Sequence, residues 1–270
     1  MQENTLIYNQ SAIQYITYGN GNQPVVAFHG YGEDAISFSI LEPELSNSIK
    51  LIVITLPVHG STDWKESEFC HPDDILAIVE ATLTKEQFSV SHFSIAGYSL
   101  GGRICLKLLE KYPDRINHTL LLAPDGIKMF FLQYVATQNI LSNKLFRFTI
   151  QYPQWFLAIV KLIKLLKIVN PSIADFVYRL MDSKEERTSL FNRWMMFKYL
   201  HPNIHIVRNN IVTMDKKVDI IIGEYDKLIK PSTLNELTKG IEKRLIIVHK
   251  LPTGHILMKE KFAAQIAALL

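Results

Sequence analysis

The sequence predicts an α/β fold: a mostly parallel central sheet flanked by helices, with a helical segment inserted late in the chain. Three observations predict it. Short apolar runs bounded by turn residues recur along the chain, and helix-length amphipathic segments separate them. The alternation then stops after Asp125-Gly126 and resumes near Val218. With 270 residues, 48% of them hydrophobic and 20% charged, the chain can bury a large core, which excludes a disordered or collagen-like polymer.

The runs read as strands in chain order are Leu6 to Tyr8 with Ile13 to Tyr18, Val25 to Phe28, Leu51 to Ile54, Phe93 to Ala96, Thr119 to Leu122, Val218 to Ile222 and Leu245 to Val248. The inner ones, such as Leu-Ile-Val-Ile, do not alternate with polar residues. Strands covered on both faces of a parallel sheet have that pattern. Helical spacing of apolar residues marks Asp73 to Leu83, Leu100 to Lys111 and Lys259 to Leu270. Residues 1–126 and 211–270 thus form the expected core.

Residues 127–210 read differently, as a mostly helical insertion with Pro153, Pro171 and Pro202 as breaks. This stretch carries 12 Lys and Arg against 4 Asp and Glu, whereas the rest of the chain carries 17 against 22. It also holds 14 of the 28 aromatic residues in 84 positions, so it is expected to form a basic, aromatic-rich cap. Within it, Trp155 to Val169 is amphipathic, with Lys161, Lys164 and Lys167 on one side. The expected role is a cap helix; a membrane-surface contact is the alternative.

The net charge of +3 is too small for a chain whose main partner is nucleic acid. Two cysteines, Cys70 and Cys105, could form at most one bridge. No basic segment followed by an apolar run stands at the N-terminus, and no stretch approaches the roughly 20 apolar residues of a membrane span. A cytoplasmic location is therefore the expectation. Oligomeric state is left open.

Chemistry is concentrated in one motif, Gly97-Tyr98-Ser99-Leu100-Gly101-Gly102, between a strand and a helix. A serine on so sharp a turn has its Oγ pushed into the open, and the glycines prevent side chains from clashing with the turn. The helix N-terminus that follows stabilises developing negative charge. Upstream, Val25 to Phe28 runs into His29-Gly30-Tyr31-Gly32; downstream, Gly223-Glu-Tyr-Asp226 closes a strand, and Gly254-His255 follows the last one.

In these residues the sequence resembles the α/β-hydrolase superfamily, over 1–126 and 211–270. The resemblance implies the α/β-hydrolase fold with a nucleophile elbow at Ser99 and a triad completed by Asp226 and His255, in the chain order this fold uses. It implies an oxyanion hole from the backbone N–H groups of Tyr31 and Leu100, and it calls for no metal or organic cofactor. Asp125, after the preceding strand, competes with Asp226 for the role of triad acid, and His249, within a strand, is the other histidine beyond that acid. His29 and His59 read as loop-shaping residues. Arg103 is a candidate substrate-binding residue, since a Ser-x-Gly-Gly-Arg run also occurs in relatives that act on carboxylated menaquinone-pathway intermediates; a salt bridge is its other reading. One segment departs from the family: Thr55-Leu-Pro57-Val58-His59-Gly60-Ser61 has Thr and Val where an Asp and a Gly are common.

The expected activity is that of a serine hydrolase, carboxylesterase-like, acting on a small hydrophobic ester or thioester through an acyl-serine intermediate. The same triad also serves C–C bond hydrolases and lyases, and the fold without turnover serves as a ligand-binding protein.

Overall fold

The computed structural model describes residues 1–128, 137, 139–168, 174–175, 177–178 and 181–270. Eight strands form one sheet: β1 (Gln2–Tyr8), β2 (Ser11–Tyr18), β3 (Gln23–Phe28), β4 (Ile49–Ile54), β5 (Phe93–Tyr98), β6 (Ile116–Leu122), β7 (Lys217–Gly223) and β8 (Ile246–Leu251). Their order is β1-β2-β4-β3-β5-β6-β7-β8. β1 and β2 pair antiparallel, as do β2 and β4; every pair from β4 through β3 to β8 is parallel. Each expected strand lies within an observed one or overlaps it.

The uninterrupted apolar runs occupy the middle of the sheet. Val25 to Phe28, Leu51 to Ile54 and Leu120 to Leu122 are buried throughout, with neither face open to water. Helix α1 (Pro72–Lys85) begins on Pro72 and turns Ile75, Ile78, Val79 and Leu83 inward. Helix α2 (Leu100–Lys111) follows β5 with no intervening loop and is buried from Leu100 to Leu109.

Two compact units make up the chain, 1–128 with 199–270, and 129–198. The second is helical where described: α3 (Ile140–Gln151), α4 (Gln154–Leu165) and α5 (Lys184–Met196). Pro153 caps the start of α4, as its reading as a helix break requires. The helix covers most of the expected Trp155 to Val169 stretch; Val169 and Pro171 lie outside the described residues. Inside this unit α3 packs on α5, with the Phe146 ring 5.2 Å from Phe191 and 5.5 Å from Trp194. Arg187 donates from Nε to the Ile150 carbonyl at 2.9 Å and from Nη1 to that of Met181 at 2.7 Å.

The expected insertion, 127–210, reaches past the second unit. Residues 199–210 belong with the sheet, because α6 (Ile204–Thr213) packs on α2 and Asn210 donates to the carbonyls of Leu109 and Glu110 at 3.0 and 3.1 Å. The last helix, α7 (Glu260–Ala267), buries Phe262, Ala263 and Ile266 in the core cluster that also holds Tyr18, Phe38 and Tyr98.

Candidate active site

The C-terminal edge of the parallel strands carries the site, as expected for an open α/β sheet. β5 ends at Tyr98, and Ser99 then takes φ +50°, ψ −106°, a conformation that side chains rarely adopt. Its N–H donates to the Leu122 carbonyl at 2.8 Å, and its own carbonyl accepts from Asp125 N–H at 2.9 Å, so the turn is stitched to the end of β6. A Cβ at Gly97 would stand 2.3 Å from the Gly101 backbone, and one at Gly101 would stand 2.0 Å from the Phe28 carbonyl oxygen. The glycines are thus required by close approach of backbone to backbone.

That approach also joins the two halves of the expected oxyanion hole. Gly101 N–H donates to the His29 carbonyl at 3.1 Å, which ties the His29-Gly30-Tyr31-Gly32 loop to the first turn of α2. Leu100 N–H opens the helix and has no protein acceptor among the described residues. His29 is fully buried: its Nε2 accepts from Leu56 N–H at 2.9 Å while Nδ1 donates to the Gly30 carbonyl at 2.8 Å, which ties the glycine loop to the segment after β4.

Three side chains from three loops meet in a line. The Ser99 hydroxyl donates toward His255 Nε2 at 3.1 Å, and His255 Nδ1 donates to Asp226 Oδ2 at 2.7 Å. The carboxylate of Asp226 is completely buried. Its other oxygen accepts from the N–H groups of Leu228 and Ile229 at 2.8 and 2.9 Å, which orients it. Gly223 permits this meeting, because a Cβ there would lie 2.1 Å from the Gly254 carbonyl oxygen; Tyr225 N–H then donates to the Thr253 carbonyl at 2.9 Å. The acid loop and the histidine loop are therefore held against each other by backbone hydrogen bonds.

The two alternatives that the sequence leaves open fall elsewhere. Asp125 forms an ion pair with the buried Arg103 and accepts from Gly126 N–H at 2.6 Å. His249 meets Asp219 at 2.7 Å, on the other side of which His118 stands at 2.9 Å. The Arg103 guanidinium turns to Asp125 and to His201, whose Nε2 lies 3.3 Å from its Nη1. Burial, and then the adjacent Arg103 charge, push the His201 imidazole down to about 3, so it stays neutral and can accept from the guanidinium. Arg103 is thus brought together with Asp125 and His201; its side chain is not part of the Ser99–His255–Asp226 line.

Two residues of the site are not singled out by the motifs. Tyr98 stacks its ring on His255 at 5.7 Å and donates from Oη to the His255 carbonyl at 3.2 Å. Glu33 follows the glycine loop directly, and Gly30 N–H donates to its Oε2 at 3.2 Å. Burial raises the Glu33 carboxyl above its ordinary value, while the Gly30 N–H, Ser37 and His255 pull it down. Burial, with the carboxylates of Glu33 and Asp226 nearby, raises the Tyr98 phenol. The signal available for Glu33 is its position alone, an acid directly after a run that resembles an oxyanion loop.

Comparison with known proteins bears on the fold and the family. An uncharacterised hydrolase of Bacillus subtilis is 22% identical over 92% of this chain and 89% of its own length. A pimeloyl-[acyl-carrier protein] methyl ester esterase of Neisseria meningitidis is 30% identical, over 37% of this chain and 36% of its own. The match to the acetyltransferase component of an acetoin cleaving system in Pseudomonas putida, 29% identical over 40% of this chain, spans only 29% of that protein. Among solved structures, an α/β hydrolase enzyme from a Medee basin deep-sea metagenome library superposes with a TM-score of 0.67 at 16% identity, over 98% of this chain and 96% of that one. A meta-cleavage product hydrolase from Pseudomonas fluorescens gives 0.63 at 18% identity, over 98% and 96%. The family model of the α/β hydrolase fold matches residues 23–162, which contain the glycine loop, the serine turn and the helix behind it. With the eight-stranded sheet in the order that brings those parts together, the chain belongs to the α/β hydrolase fold family.

Proposed function

We propose that the chain is a serine hydrolase that opens carboxylic esters or thioesters with an apolar acyl or aromatic part. The observation that carries the reading is the continuous hydrogen-bonded line from Ser99 Oγ through both nitrogens of His255 to a buried Asp226. A serine hydroxyl is a weak nucleophile at neutral pH and needs such a base.

In this reading Ser99 Oγ attacks the acyl carbon and its proton passes to His255 Nε2, while Asp226 holds the tautomer and stabilises the imidazolium. The carbonyl oxygen gains negative charge facing the N–H groups of Leu100 and Tyr31, each donor being worth about 3 kcal/mol in the transition state. Collapse expels the alcohol or thiol, which takes the proton from His255. Water then gives a proton to the same nitrogen, attacks the acyl-serine, and releases the acid and free Ser99. The basic, aromatic-rich insertion is proposed as the substrate-selecting part, which motivates the apolar substrate class.

Labelling with a fluorophosphonate probe, wild type beside Ser99→Ala, tests the nucleophile. We expect labelling of the wild type alone, and rates on p-nitrophenyl esters that climb with acyl length. Absence of labelling in folded wild-type protein overturns the hydrolase reading in favour of a binding protein on the same fold. Equal turnover of short and long esters overturns the apolar substrate class.

A further inference from the structure

We infer that the second unit carries a docking face for the surface of an anionic phospholipid bilayer, formed by the outer stripes of α3 and α4. On α3, Leu141, Leu145 and Phe148 follow one another at spacings of four and three; on α4 and its C-cap, Ile159, Leu162 and Leu166 do so at three and four. All six side chains lie on the surface, between 45% and 76% exposed. These stripes are not the sides by which the helices fold. α3 turns Phe146 toward Phe191 and Trp194 and buries Ile150, while α4 buries Val160. Each helix therefore has an apolar side in use and a second, opposite one facing water, which a helix of a soluble domain rarely keeps.

Charge identifies the occupant. Residues 139–168 contain Lys144, Arg147, Lys161, Lys164 and Lys167, with no Asp or Glu. Among the described residues Lys164 alone has an acidic partner, Asp175 at 2.5 Å. On helical geometry Lys144 borders the α3 stripe and Lys161 stands about 100° round from Leu162, within reach of a snorkelling side chain, whereas Arg147 turns its guanidinium over the Phe191 ring. A second copy of the chain seated on this face would set cation against cation, which disfavours self-association. A sheet of anionic headgroups over an apolar interior satisfies both features: the stripes enter the acyl boundary while the cations stay among the phosphates. No helix among the described residues is long and apolar enough to cross a membrane, so the contact is parallel to the surface.

Co-sedimentation of the whole protein with two kinds of vesicle tests this, phosphatidylcholine alone and phosphatidylcholine mixed with phosphatidylglycerol. We expect partitioning onto the mixed vesicles that falls steeply with added salt, and little onto the neutral ones. Lys144→Gln with Lys161→Gln, both solvent-exposed, lowers it about thirtyfold. Leu145→Glu with Leu162→Glu lowers it by about a hundredfold or more. Ile7→Glu, at an exposed position on β1, leaves it unchanged. Circular dichroism melts of the four proteins establish that each is folded. Equal binding to both vesicle types, or binding that survives the leucine substitutions, overturns the inference. So does sedimentation of the wild type as a dimer that Leu145→Glu dissociates, which assigns the face to a second copy. None of these readouts depends on turnover, so the inference stands or falls apart from the hydrolase reading.

Discussion

The turn after β5 and the turn after β4 each hold one non-glycine residue at positive φ, Ser99 at +50° and Val58 at +57°. They differ in what surrounds the strain. Around Ser99 the neighbours are glycines whose missing side chains admit other backbone, and the strained residue presents a hydroxyl to His255 at 3.1 Å. Around Val58 the turn is held by ordinary means, with His59 N–H on the Leu56 carbonyl at 3.1 Å and Thr62 N–H on that of His59 at 3.2 Å. Its β-branched side chain reacts with nothing. Backbone strain alone therefore does not distinguish the two turns; what sets Ser99 apart is strain in a cleared space, with a hydroxyl in line with an imidazole.

The sharpest way to separate the two turns is to relieve the strain at Ser99. Ser99→Gly and Ser99→Ala both delete the hydroxyl, and each is expected to lower kcat by about a millionfold. They should differ in stability. Glycine accepts the φ of this turn and alanine does not, so Ser99→Gly is expected to be the more stable variant by about 1 kcal/mol in urea titration. Equal stability would show that the turn carries no strain for its hydroxyl to justify.

A second test probes the clearance. Gly101→Ala would place a Cβ 2.0 Å from the Phe28 carbonyl oxygen, an atom of a central strand that has nowhere to move. At Gly60, in the Val58 turn, the nearest atoms are side chains, Thr55 Cγ2 at 2.9 Å and Asp34 Cβ at 3.0 Å. We expect Gly101→Ala to cost about 3 kcal/mol of folding free energy from crowding, and Gly60→Ala less, most of it the left-handed cost of its φ of +48°. A cost for Gly101→Ala below about 1 kcal/mol would mean that the helix can slide away from β3, and the crowding argument would fail.

What the sequence discloses follows the same division between local pattern and long-range approach. β4 and β6 are legible because strands buried on both faces leave uninterrupted apolar runs, and α2 because its amphipathic period begins at the residue after Ser99. The serine turn is legible because close backbone approach demands glycines, which a sequence displays. Strand order is not, since β4 lies between β2 and β3 through pairings that no local pattern encodes. The choice of Asp226 over Asp125 comes from the family resemblance and from no local pattern: each follows a strand of the parallel sheet, and the backbone contact between the Gly223 and Gly254 loops is what directs Asp226 to His255. Arg103 resembles a substrate ligand when read along α2, because its partners Asp125 and His201 are 22 and 98 residues away. Glu33 passes unnoticed for a related reason. Its half-buried place against the Gly30 N–H is a property of the folded loop, and one acid after a glycine run carries no pattern.

The smallest effect concerns Val58. The family resemblance marks this position as one where glycine is common, and the structure supplies the physical reason in a φ of +57°. A valine there pays a left-handed cost of about 1–2 kcal/mol. Its side chain is half-buried, so replacement by glycine also forfeits some packing, which makes the wild type a poor reference. Val58→Ala is the better one, because alanine loses nearly the same atoms and keeps the strain. At an ordinary position glycine is less stable than alanine by about 0.5–1 kcal/mol; here we expect the sign to reverse, with Val58→Gly the more stable by about 1 kcal/mol in urea titration. Esterase activity should be the same in both. Retention of the ordinary order would mean that the turn relaxes out of positive φ in solution, and would leave Ser99 as the only strained turn of the pair.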